Sequence, residues 1–141
     1  MLASAGSAIA QSDREAPEQF VQGRCSCSNR TLHGDYGTAV EGFVVGANLP
    51  IRGIVMAHFD GKGNLTQVDH IVLNGMPPAL EWTPGSGTYT VNADCTGSAV
   101  IHTASSESGV VNLHFVVVRQ GREIHQVVDE NAATAIAVRV E

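Results

Sequence analysis

Six histidines, His33, His58, His70, His102, His114 and His125, are the side chains of this chain best suited to acid–base or metal chemistry. No two of them stand as H-x-H or H-x-x-x-H, so the local spacing of a zinc site is absent and no metal is expected. His58 and His70 flank one hairpin and could approach each other across it. Asp69 precedes His70, but neighbours on a strand point to opposite faces, so its carboxylate is not placed to orient that ring. The histidines are therefore expected to be surface or hydrogen-bonded structural groups. Five polar side chains interrupt otherwise apolar strands: Glu41, Arg52, His102, His114 and Arg119. A charge inside a fold is costly unless paired. Glu41 is the one catalytic candidate, because an inward carboxyl would have its pKa raised by burial and could exchange protons. The rarity of buried carboxylates favours an outward Glu41. Asp60-Gly-Lys-Gly-Asn64 has the outline of a calcium loop, but Lys62 occupies a ligand position and no terminal Glu follows, so it reads as a turn. No G-x-S-x-G occurs, and Ser105, Ser106 and Ser108 form a loop tip. No cofactor motif is present, and none is expected to be bound.

These residues sit on short alternating runs. Residues 51–59 enter the turn at Asp60–Asn64 and residues 65–73 leave it, which is the pattern of a β-hairpin whose glycines supply the positive φ of a tight reversal. Further strands are expected over 36–45, 88–92, 98–104, 110–120, 123–129 and 134–140. On the 51–59 strand Ile51, Gly53, Val55, Ala57 and Phe59 share a face suited to a curved interior. The 65–73 strand has polar residues on both faces, so its inward side is left open. A longer connection, opened by Asn74-Gly75 and Met76-Pro-Pro78, runs through Trp82 to Pro84-Gly-Ser-Gly87. About eight strands joined by tight turns predict an all-β fold, a single antiparallel up-and-down β-barrel, with a β-sandwich as the alternative. Closure would remove exposed strand edges. Eight strands enclose an interior that side chains fill or that holds one small ligand. Trp82 and Met76 are candidates to lid its mouth or to cap the core. Tyr36, Phe59 and Phe115, aromatic residues of the strands, complete the binding candidates.

The 141 residues suit one domain. Charged residues make up 16% and the formal charge is −6, with eight Lys and Arg scattered along the chain, so nucleic acid is not expected as a partner. No run approaches the roughly 18 apolar residues of a membrane helix, and no membrane insertion is expected. Residues 1–11 read as the remnant of a secretory signal peptide, with Ala8-Ile9-Ala10 as the cleavage site and Gln11 as the new N-terminus. A positive segment ahead of it is lacking, so the true start is expected upstream. Residues 12–24 read as a flexible arm, and 25–141 as the barrel domain. The chain is expected to be secreted or periplasmic. Cys25, Cys27 and Cys95 fit that destination. A bridge from Cys25 or Cys27 to Cys95 would tie the N-terminal arm to a mid-chain turn and contribute about 4 kcal/mol in the chain-entropy picture. The remaining cysteine would be free or would link a homodimer.

Three stretches carry a resemblance: Cys27-Ser-Asn-Arg-Thr-Leu-His-Gly-Asp-Tyr-Gly37, Phe59-Asp-Gly-Lys-Gly-Asn64 and Gly87-Thr-Tyr-Thr-Val-Asn-Ala-Asp-Cys-Thr-Gly97. In this order the chain resembles a group of small exported bacterial proteins, largely uncharacterised and similar in outline to the calycin-like barrel of allene oxide cyclase. The resemblance spans Cys27 to the end of the chain. It implies a Cys27–Cys95 pair with Cys25 as the extra thiol. No catalytic residue of the plant cyclases can be matched position by position, so none is carried over. The expected function is an exported barrel that binds a small apolar molecule in its lumen. The barrel resemblance alone raises a second reading, an isomerase or cyclase acting on an apolar substrate. A third is an envelope-associated structural or interaction protein that uses its outer surface.

Overall fold

The computed structural model describes residues 26–141. The signal remnant, the arm and Cys25 lie outside the described residues. Eight antiparallel strands form a closed barrel in sequence order: β1 (His33–Val44), β2 (Leu49–Asp60), β3 (Asn64–Leu73), β4 (Thr83–Val91), β5 (Thr96–Thr103), β6 (Val110–Val118), β7 (Glu123–Val128) and β8 (Ala132–Arg139). β1 pairs with β8 from Tyr36↔Arg139 to Phe43↔Ala132, and that pairing closes the cylinder. The sandwich alternative is thereby excluded. Among the described residues no helix is long and apolar enough to cross a membrane.

Turn chemistry sets the register. The Asp60 carboxylate accepts hydrogen bonds from the backbone N–H groups of Lys62 (2.7 Å) and Asn64 (3.0 Å) and from the Asn64 side chain (3.0 Å). Those bonds hold its pKa down to about 2, the Asn64 side chain being the largest cause. Asn74 and Gly75 both take positive φ, 50° and 80°, as a two-residue hairpin turn demands. Leu73 and Met76 close that turn with two backbone hydrogen bonds.

β4 starts at Thr83, earlier than the alternation at 88 predicts, because Pro84-Gly-Ser-Gly87 is strand rather than connection. Pro84 pairs with Val68 of β3, while the ladder to β5 begins only at Gly85↔Thr103. Proline is tolerated at such a strand beginning. Gly87 is required by proximity: a Cβ there would lie 1.9 Å from the Val100 carbonyl oxygen.

One end of the barrel is sealed. A 3₁₀ turn at Asn29–Thr31, capped by Ser28, delivers Leu32 into the interior, where it is fully buried. The rings of Tyr36, Phe59 and Tyr89 stack edge to face above it, with centroids 5.1 and 5.0 Å apart. The Tyr36 hydroxyl donates to the Gly121 carbonyl, and Arg139 donates to the same two oxygens at 3.2 Å. The Tyr89 hydroxyl lies 3.0 Å from the carbonyls of Asn29 and Leu32. Burial pushes its pKa up. The Cys27–Cys95 disulfide ties this plug to the β4–β5 turn.

Candidate functional site: the barrel lumen

Whether an eight-stranded barrel is full or hollow depends on the size of its inward side chains. Here many are small. β8 turns Ala133, Ala135 and Ala137 inward, all buried. In the same phase β2 carries Ala57 and β5 Ala99, and these two line the interior space together with Ala135 and Ala137. Large residues concentrate at the sealed end. The remaining space is a cavity of about 540 Å³, within the range of small-molecule sites. Its wall is mostly apolar, including Val55, Phe59, Leu65, Ile101, Leu113 and Phe115. Its rim is at the opposite end from the plug, where Val45, Leu73, the Ser105–Ser108 turn, Glu130 and Asn131 border it.

The inward face of β2 is the one its small and aromatic residues indicate. On β3 the inward residues are Leu65, Gln67, Asp69 and Ile71. Asp69 is the polar group that inspection of the sequence passes over. It is 2% exposed and lines the cavity. One carboxylate oxygen accepts from Gln67 Nε2 (3.1 Å) and Thr103 Oγ1 (3.3 Å), and the other from the Ser105 hydroxyl. The signal was its phase with Leu65 and Ile71. Thr66 and His70 on the opposite phase masked it, because they left both faces of the strand equally polar.

Glu41 stands on the outer face of β1, exposed, opposite Arg52 of β2. It does not reach the lumen, because its phase is that of Ala39 and Phe43 rather than of Thr38 and Val40. Trp82 is 45% exposed and packs edge-on against His70 on the outside of β3, centroids 6.0 Å apart. Met76 is 68% exposed in the Asn74-Gly75 turn. Neither borders the cavity. Phe59 and Phe115 line it, whereas Tyr36 belongs to the seal beneath.

The histidines are all outside. His58 bonds Asp35 at 2.7 Å, His114 bonds Asp129 at 2.9 Å and His125 bonds Glu123 at 2.6 Å. His70 Nδ1 lies 2.6 Å from the Glu81 carbonyl oxygen, and His33 and His102 are exposed. His58 and His70 do not meet, since His70 faces Ile54 across the ladder and His58 faces Thr66. Among the described residues no three His, Cys, Asp or Glu side chains are grouped to hold a metal ion.

The lumen can therefore enclose an apolar body and offer it a few hydrogen-bonding groups near the rim. Set against known protein families, curated proteins and solved structures, the chain matches none. The closed eight-stranded architecture is consistent with calycin-like barrels in general, and no specific kinship to allene oxide cyclase is found.

Proposed function

We propose that this protein is an exported binding module that holds one small, predominantly apolar molecule in its lumen. The observation that carries the reading is the apolar cavity of about 540 Å³, sealed below and bordered above by loops. A barrel selected only for stability would fill that space, since an unfilled volume forfeits packing energy at every wall atom. Native mass spectrometry of the purified protein, followed by solvent extraction, tests the proposal. The expected result is a one-to-one adduct that extraction releases, or a one-to-one adduct formed on adding a neutral apolar compound. A chain that carries nothing and takes up nothing would overturn it.

Export is part of the same proposal and is supported by Ala8-Ile9-Ala10 and by the Cys27–Cys95 disulfide, which persists in oxidising compartments. The mass of the chain recovered from its natural host should correspond to a start at Gln11.

A second reading, an isomerase or cyclase on an apolar substrate, is favoured by one observation: Asp69 places a carboxyl group in the cavity wall. A buried carboxyl beside an apolar substrate is a means of moving a proton. Conversion of a bound compound that stops in Asp69→Asn would raise this reading above simple binding, and unchanged recovery of every bound compound would remove it.

A further inference from the structure

We infer that the molecule taken by the lumen is amphipathic, with a cationic, hydrogen-bond-donating head such as an ammonium group held near the rim and an apolar tail below. This inference rests on the binding reading above and adds the chemistry of the head group.

The basis is the sign of the charges. Among the described residues, the ionisable side chains that line the cavity are Asp69, Glu107 and Glu130, all acidic, with no Lys, Arg or His. They cluster towards one end. Asp69 is bonded to Ser105 of the β5–β6 turn, Glu107 stands on that same turn, and Glu130 lies in the β7–β8 turn. Below them the wall is formed by Phe59, Leu65 and Ile124 and is uncharged. The Asn112 side chain and backbone N–H donate to the Glu130 carboxylate and hold its pKa below the usual range.

Asp69 is the inner member of this set. A carboxylate has about four acceptor positions. Gln67, Thr103 and Ser105 occupy three, which leaves one on the oxygen that Ser105 bonds. No ion pair among the described residues includes Asp69. A buried charge without a counter-charge is costly, and a ligand that brings the counter-charge recovers part of that cost. A carboxylate-headed ligand would instead place like charges together where water screens them poorly. The counter-charge is organic, since the three carboxylates are not grouped as a metal site.

Displacement of the neutral fluorophore N-phenyl-1-naphthylamine by dodecylammonium, dodecanol and dodecanoate tests the inference, at neutral pH and below the micellar concentration of each. Dodecylammonium should displace at a concentration at least about tenfold lower than dodecanoate, the size expected of one charge-assisted hydrogen bond, with dodecanol between. In Asp69→Asn that gap should shrink to about threefold or less. A paired Glu107→Gln, Glu130→Gln variant, altered only at the exposed rim, should narrow it independently of any change in core packing. Equal displacement by the two ions, or tighter binding of dodecanoate, would overturn the head-group inference while binding of dodecanol left the lumen reading intact. Failure of both the fluorophore and dodecanol to bind would overturn the two together.

Discussion

Asp60 and Asp69 lie on one hairpin and act in opposite settings. Asp60 is exposed and organises a turn, so its effect is on stability. Its folded pKa, about 2, lies below its ordinary 3.8, so the unfolded chain takes up the proton first as pH falls. The stability it contributes is present above about pH 4 and is lost as pH falls towards 2. In Asp60→Asn the urea midpoint should change less over that interval than in the wild type; an equal change would mean that Asp60 does not contribute to the acid sensitivity. Tyr36 offers a second residue-scale test. Tyr36→Phe removes the hydroxyl bonded to Gly121 but leaves Arg139 on the same carbonyl, so the loss should be about 1 kcal/mol by chemical denaturation. At this scale the sequence was least informative about the site. Glu41 stood out because β1 is apolar on both faces, yet alternation turns it to solvent. Asp69 stayed hidden because β3 is polar on both faces.

Turns and glycines carry the lesson at the scale of elements. Asp60–Asn64 and Asn74-Gly75 were legible, since each demands particular residues at positive φ. β4 was not, because proline and glycine signal a break unless the neighbouring strand is known. Gly87→Ala should cost about 3 kcal/mol, as the new Cβ meets the Val100 carbonyl. Gly37→Ala, with nothing within 4 Å of its Cβ, should change stability by less than about 0.5 kcal/mol. Similar losses in the two variants would contradict the register. The plug depends on the disulfide across a separation of 68 residues. Replacing Cys27 and Cys95 together by serine should lower unfolding free energy by about 4 kcal/mol.

For the whole molecule, closure was legible because eight short strands joined by tight turns leave few alternatives. Hollowness was not, since it depends on the summed volume of inward residues, and the phase of every strand must be known to add them. Once β8 is seen to point Ala135 and Ala137 into the interior, the space follows. Whether this space is the binding site is decided by titrating N-phenyl-1-naphthylamine into the wild type and into a doubly filled Ala99→Leu, Ala135→Leu variant. Both positions line the cavity. Binding to the wild type should be saturable and one-to-one, and binding to the filled barrel at least about tenfold weaker. Equal binding by a folded filled variant, or none by the wild type, would mean that this space is not the binding site.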